Sequence, residues 1–172
     1  MVTYHEHILK KKKTGKDIAI CLITPFAFAF LAYVLILLIS AFIPFLSVLI
    51  PAVLAGSIYF SYKVISSRNI EFEYLLVDSD IDVDKIVNKT RRKRIASVYR
   101  KEIIAMAPFG SSNLPENWQT LPKTDATSSP DASGTYVLIY TQDGVQKALY
   151  FCPTEKMLEV MTIRNPRKVF ND

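Results

Sequence analysis

A long uncharged segment near the N-terminus constrains this chain more than any other feature. Between Asp17 and Lys63 there are 45 consecutive residues without Asp, Glu, Lys, Arg or His. A helix that crosses a bilayer core of about 30 Å needs about 20 apolar residues, so this segment has the length of two crossings. The segment therefore predicts a membrane protein and excludes a wholly soluble one.

The predicted arrangement of this segment is a helical hairpin within residues 18–65. The chain should turn near Pro44, because proline cannot donate a backbone hydrogen bond and disfavours helix in the residue before it. We therefore expect one span at residues 18–39 and the second at residues 44–65. Pro25 and Pro51 lie inside these spans and predict local kinks.

Basic residues flank both ends of the predicted hairpin. Residues 1–17, which we expect to form a basic cytoplasmic tail, contain the run Lys10–Lys13, and Lys63 and Arg68 follow the second span. Lys and Arg accumulate on the cytoplasmic side of membrane proteins, so both termini are predicted to be cytoplasmic. A cleaved signal peptide is not expected, because the apolar run continues far beyond the length of a signal core.

The pattern changes from continuous apolar sequence to alternation after the hairpin. Ile70–Leu76 and Ile81–Ile86 alternate apolar and polar residues, which indicates half-buried strands. A turn is expected at Asn88–Lys93, before another strand at Arg94–Tyr99. Glu102–Ala107 fits either a strand or a short helical turn, because short apolar runs do not decide between them.

The C-terminal part contains a long polar loop, a hairpin and a helix. Residues 108–134 are rich in Pro, Ser, Asn, Asp and Thr, and a loop of this length is expected to be either mobile or functional. Asp143-Gly144 between Thr135–Thr141 and Val145–Phe151 is a strong hairpin signal. Thr154–Arg164 is predicted to form a helix with one apolar side, which begins after a proline and ends before one.

This order of elements resembles the pleckstrin-homology-like (PH-like) domain that bacterial membrane proteins carry directly after a two-helix hairpin. The residues that carry the resemblance are Ile70–Val87, Arg94–Ala107, Thr135–Phe151 and Thr154–Arg164. The sequence is also similar to that of small two-span proteins of Gram-positive anaerobes. This similarity covers Phe72–Tyr74, Asp82–Ile86 and Asn88–Arg94.

The resemblance implies a fold and a location but no activity. The implied fold is a membrane α+β protein: an N-terminal two-helix transmembrane hairpin, followed in residues 66–172 by a small antiparallel, PH-like β domain closed by a C-terminal helix. The implied location is the bacterial cytoplasmic membrane, as a multi-pass protein with both termini cytoplasmic.

Charge is segregated along the predicted β domain. Six acidic residues between Glu71 and Asp84 precede a run of basic residues, so opposite charges should face each other across adjacent antiparallel strands. The candidate site is the cluster of four adjacent cations, which we place on a turn: Arg91, Arg92, Lys93 and Arg94. Three interpretations remain open, namely a solvated turn, contact with anionic lipid or an acidic protein partner, and contact with RNA. RNA is the least favoured, because the aromatic platforms of RNA-binding modules are missing from the sequence.

No catalytic, cofactor-binding or metal site is predicted. The aspartates of residues 78–84 lack the Gly and Glu of a calcium loop, since Val83 and Lys89 occupy those positions. His5 and His7 alone make a poor metal site, and Cys152 has no histidine near it in sequence. We therefore expect no enzyme, no cofactor and no nucleic-acid partner, and the sequence does not define an oligomeric state.

The predicted function is that of a non-enzymatic integral membrane protein that presents a cytoplasmic PH-like docking domain at the inner leaflet. Its partners would be anionic head groups of membrane lipids or another membrane protein. The alternative is an accessory or structural subunit of a membrane transport or envelope-assembly complex, and a membrane enzyme is a third and weaker candidate.

Overall fold

The computed structural model describes residues 4–129 and 133–171. The chain divides into two compact units. The helical unit is Lys13–Asn69, and the β unit joins the N-terminal residues up to Lys12 to the chain from Ile70 onward. Each unit is described separately below.

The helical unit contains two long helices. Helix α1 is Gly15–Phe42, a 3-10 segment covers Pro44–Leu49, and helix α2 is Ile50–Ser66. The N-terminus of α1 carries a capping box, in which the backbone N–H of Asp17 donates to the Thr14 hydroxyl and the Asp17 carboxylate accepts from the Thr14 N–H.

Both helices of the helical unit are largely exposed and apolar. Gly15–Phe42 and Pro44–Ser66 are each long and apolar enough to cross a bilayer. Only 6% of the most apolar window of each helix is buried, whereas the core helix of a soluble protein would be mostly buried. The rings of Phe28 in α1 and Phe60 in α2 stack at 6.4 Å.

The limits of the helices differ from the predicted spans. The first helix extends beyond residues 18–39 at both ends, because the capping box starts it at Gly15 and the turn at Pro44 lets it continue to Phe42. In the second span, Pro51 lies in the first turn of α2 rather than in its interior. A proline in the first turn removes no helical hydrogen bond, so the kink expected at Pro51 was wrong.

The first sheet of the β unit is an antiparallel sheet of four strands in the order β1-β2-β3-β4. The strands are β1 Tyr4–Lys10, β2 Ile70–Val77, β3 Asp80–Val87 and β4 Arg91–Val98.

Strand β1 corrects the prediction of a tail at residues 1–17. His5, His7 and Leu9 alternate toward the inner face of the sheet, where Leu9 packs against the core and the His7 ring lies 5.9 Å from the Tyr74 ring. Lys10 pairs with Glu71, at the end of the sheet where the chain leaves for α1.

The second sheet also has four strands, in the order β5-β7-β8-β6. They are β5 Ile103–Pro108, β6 Lys123–Asp125, β7 Tyr136–Gln142 and β8 Val145–Phe151. Strand β6 runs parallel to β8, and the other pairs are antiparallel. The structure therefore resolves the choice left open for residues 102–107 in favour of a strand.

A C-terminal helix closes the β unit. Helix α3 is Glu155–Arg164, and its N-cap is Thr154, whose hydroxyl accepts from the Met157 N–H. Met157 and Met161 are buried against both sheets, in a core that includes Tyr74, Leu76, Ile81, Val83, Met106, Leu138, Leu149 and Phe151. The predicted order of two apolar helices, a small and mostly antiparallel β domain, and a closing C-terminal helix is confirmed.

The described residues of the polar loop at residues 108–134 contain local structure of their own. Leu114 and Trp118 form a second small core with Val137 and Ile139 of β7. The loop also contributes β6 to the sheet. Its described residues therefore cover the outer side of the second sheet, which explains why a compact domain retains so long a connection.

Candidate functional site

The predicted basic cluster lies in an edge strand and not on a turn. Asn88 and Lys89 adopt left-handed conformations with φ of 51° and 57°, and the Thr90 N–H donates to the Val87 carbonyl at 3.2 Å. Two successive residues with positive φ form the tight turn that matches the twist of a hairpin. The strand consequently resumes at Arg91, and the turn expected at Asn88–Lys93 was too long.

Strand alternation divides the cluster between the two faces of the sheet, and a β-bulge at Ile95 decides which cations lie on each face. Val83 pairs with Ala96 and the next residue, Asp84, pairs with Arg94, so that Ile95 has no partner in β3. An extra residue in one strand reverses the direction in which the following side chains point. Arg92 and Arg94 therefore share the outer face with Asp84, whereas Arg91 and Lys93 share the inner face.

On the outer face, the two arginines are neutralised by carboxylates of the neighbouring strands. Arg92 contacts Glu73 at 2.7 Å and Asp84 at 3.9 Å. Arg94 contacts Asp82 at 2.7 Å and Asp84 at 2.9 Å. The structure thus confirms the expected pairing of opposite charges across adjacent strands. Two of the four residues of the predicted site, Arg92 and Arg94, form these ion pairs.

Burial makes the carboxylates of this outer network dependent on their arginine partners. The Glu73 and Asp84 side chains are only 7% and 10% exposed. Burial of Glu73 raises the pKa of its carboxyl, and a hydrogen bond with Glu6 raises it further, against the lowering effect of Arg92. The hydrogen bond to Asp84 raises the pKa of Arg94, which keeps that guanidinium charged.

On the inner face, cations face cations. Lys85 of β3 pairs directly with Lys93 of β4, and the neighbouring Val87 pairs with Arg91. Like charges directly opposite each other destabilise an antiparallel pair. Across residues 4–129 and 133–171, the ion pairs include none made by Lys85, Lys89, Arg91 or Lys93. These four residues are termed the proximal basic surface.

The proximal basic surface lies at the end of the first sheet where the chain leaves for the helices. Val87 pairs with Ile70, the first residue of β2, and Ile86 pairs with Glu71, which in turn pairs with Lys10. The Lys11 N–H donates to the Ile70 carbonyl at 3.0 Å and continues this pairing. No sequence signal marked Lys85 as part of the site, because only the bulge and the strand register bring it opposite Lys93.

Some acidic and histidine side chains of the described part of the chain have partners of other kinds. There, no group of three or more His, Cys, Asp or Glu side chains is placed to hold a metal ion. His7 packs on Tyr74, and the Asp82 and Asp84 carboxylates accept from arginines. The chemistry available at the candidate site is therefore the binding of anions by fixed positive charge.

Comparison with known proteins identifies one matching protein family. A protein-family model described as "Bacterial PH-like domain (DUF6106)" matches residues 1–171. No curated protein and no solved structure has significant similarity to the chain. The matched range includes the N-terminal strand, both apolar helices and the whole β unit.

Proposed function

Because the chain belongs to the bacterial PH-like domain family DUF6106, we propose that it is a cytoplasmic-membrane protein whose β unit docks on anionic lipid of the inner leaflet. Its helical unit crosses the bilayer twice, and both termini lie in the cytoplasm. The protein acts by binding and not by catalysis.

The pairing of β1 with β2 supports an even number of crossings. The two strands precede and follow the apolar helices, yet they share a register of seven residue pairs from Tyr4–Val77 to Lys10–Glu71. Strands that belong to one sheet must lie on the same side of a bilayer. A retained first helix is also favoured, since cleavage of the N-terminal segment would remove β1 and expose the edge of β2.

The positive residues around the hairpin support a cytoplasmic β unit. Lys63 lies in the last turn of α2, and Lys11 and Lys12 lie between β1 and α1. Basic residues close to the ends of membrane helices are retained on the cytoplasmic side.

The proximal basic surface carries the docking proposal. Its four cations include a directly opposed pair, Lys85 and Lys93, that nothing in the described fold neutralises. A basic residue near an anionic leaflet gains about 1 kcal/mol, so four would gain roughly 4 kcal/mol in total. A phosphate between the opposed lysines would also relieve their mutual repulsion.

Short links join the β unit to the two apolar helices. Four residues separate β1 from α1, and three separate α2 from β2. Such short links give the anchored unit a high effective concentration at the surface, so weak contacts suffice for docking.

The experiment that tests the proposal uses the full chain in lipid nanodiscs, because β1 is needed to complete the sheet. Lys89→Cys, made in a chain with Cys21→Ala and Cys152→Ser, carries a fluorophore, and lipids with nitroxide-labelled head groups quench it. We expect stronger quenching when phosphatidylglycerol is added to phosphatidylcholine, and a loss of that increase at high salt.

The matched comparison is between two double variants of equal charge. Arg91→Ser with Lys93→Ser should abolish the increase, whereas Lys123→Ser with Lys156→Ser, exposed elsewhere on the β unit, should retain it. Equal quenching in neutral and anionic nanodiscs, or equal loss in both double variants, would refute docking by this surface. Equal quenching in both lipids, together with co-purification of a stable protein partner from the native membrane, would favour the accessory-subunit function instead.

A further inference from the structure

A second concentration of positive charge lines a groove at the opposite end of the β unit. The groove has a volume of about 610 Å³ and lies between the turn after β4 and the segment after α3. Among the described residues that line it, five are basic and one is acidic: Arg100, Lys101, Arg164, Arg167 and Lys168, and Asp80.

Arg100 is held rigidly in the wall of the groove. Its backbone N–H donates to the Asp80 carboxylate at 2.7 Å, and its guanidinium donates to the Arg164 carbonyl at 2.6 Å and to Asn165 Oδ1 at 3.4 Å. These contacts satisfy carbonyl and amide groups at the C-terminal end of α3 and neutralise the partial negative charge there. The end of the helix therefore does not repel an anion from the groove.

The other cations of the groove differ in whether the fold uses them. The Lys168 ammonium donates to the Ile103 carbonyl at 2.5 Å. Lys101 and Arg167, in contrast, are exposed and form no ion pair with any residue in 4–129 or 133–171. They come from two different segments and line the same groove, which is an arrangement suited to the oxygens of one anion.

An aromatic ring lies beside these cations. The Tyr99 side chain lines the groove and is 52% exposed, and the Lys101 Nζ lies 5.9 Å from the centre of its ring. A ligand that carries both a phosphate and an apolar part would contact the cations and the ring together.

The position of the groove separates it from the proximal basic surface. Asp80, which lines the groove, and Val87, which lies at the proximal end, are the first and last residues of β3. Seven residue steps of a strand span roughly 23 Å. The groove therefore lies at the end of the first sheet away from the residues that lead to the helices, which favours a soluble ligand over a lipid of the anchoring membrane.

We propose that this distal groove binds a small soluble phosphorylated molecule through Lys101 and Arg167. Its volume falls within the range of about 300–1,000 Å³ that is usual for small-ligand sites. The inference is independent of lipid docking, since it concerns different residues at the other end of the sheet.

The test measures binding of ADP, inorganic pyrophosphate and adenosine to the full chain in nanodiscs of neutral phosphatidylcholine, by isothermal titration calorimetry. We expect ADP and pyrophosphate to bind, and adenosine to bind far more weakly. Lys101→Ser with Arg167→Ser should weaken both phosphate ligands by at least about tenfold, as expected for the loss of hydrogen bonds to a charged group. Because both side chains are exposed and unpaired, the variant should fold, and its circular dichroism and the fluorescence of Trp118 check this.

The control is Lys123→Ser with Lys156→Ser, two exposed lysines of the β unit that lie outside the groove, and it should leave ADP affinity unchanged. No saturable binding of ADP or pyrophosphate up to about 1 mM would overturn the proposal. Unchanged affinity in the Lys101→Ser, Arg167→Ser variant would overturn it as well. Competition by phosphatidylglycerol in the nanodisc would show that the groove takes lipid head groups, and it would contradict a soluble ligand.

Discussion

Neighbouring residues of the basic cluster should have opposite effects on stability. Arg94 donates to Asp84 at 2.9 Å and contacts Asp82 at 2.7 Å on the outer face of the sheet. Lys93, one residue earlier, lies directly opposite Lys85 on the inner face. We predict that Arg94→Ala destabilises the β unit and that Lys93→Ala does not.

The magnitude follows from the exposure of the groups involved. A hydrogen bond to a charged group contributes about 1.5–3 kcal/mol. The Arg94 side chain is 50% exposed, so solvent screens part of this energy, but the Asp84 side chain is only 10% exposed and loses its closest cation. We expect Arg94→Ala to lower the free energy of unfolding by about 1–2 kcal/mol. Lys93→Ala should change it by no more than about 0.5 kcal/mol, toward higher stability, because it removes a like-charge pair.

The assay uses the only tryptophan of the chain as a reporter. Trp118 lies in the β unit, and its ring is 5.3 Å from that of Phe109 and 6.1 Å from that of Tyr150. Urea unfolding of the full chain in detergent micelles, followed by Trp118 fluorescence, therefore reports on the β unit and not on the helices. A loss of stability in Lys93→Ala equal to that in Arg94→Ala would refute the assignment of the two residues to opposite faces.

Two further predictions concern buried polar groups. Burial and Glu6 raise the pKa of Glu73, so the folded state holds a proton more tightly than the unfolded state, and stability falls as pH rises from about 4.5 through the folded pKa. Glu73→Gln should flatten this part of the profile of unfolding free energy against pH. An unchanged slope would contradict the prediction. The buried Tyr74 hydroxyl donates to the Ala126 carbonyl at 2.6 Å and accepts from the Cys152 N–H at 3.4 Å. Tyr74→Phe should therefore lower the free energy of unfolding, measured in urea, by about 1–3 kcal/mol. An unchanged free energy would show that water replaces the hydroxyl.

Elements with local signals were predictable from the sequence. Asp143 and Gly144 take positive φ of 53° and 77° in the turn between β7 and β8, as the Asp-Gly signal indicated. The helix limits near Thr154 and Arg164 followed from the prolines that flank the segment. In each case the information lies within a few residues of the element itself.

Features that depend on distant partners were not predictable in the same way. Strand β1 was missed because two of its three inward residues, His5 and His7, are polar, and because its partner β2 follows only after both apolar helices. The bulge at Ile95 has no local signature, yet it decides which cations of the cluster are paired and which remain unpaired. The loop at residues 108–134 appeared structureless by composition, although Leu114 and Trp118 attach it to the second sheet.

Cysteine accessibility in intact cells tests the central claim of two crossings with both ends in the cytoplasm. Single cysteines at Ile43, between the helices, and at Lys156, on the exposed side of α3, are introduced into the chain with Cys21→Ala and Cys152→Ser and treated with a membrane-impermeant maleimide. We predict labelling of Ile43→Cys in intact cells and of Lys156→Cys only after permeabilisation. Labelling of Lys156→Cys in intact cells would contradict the account.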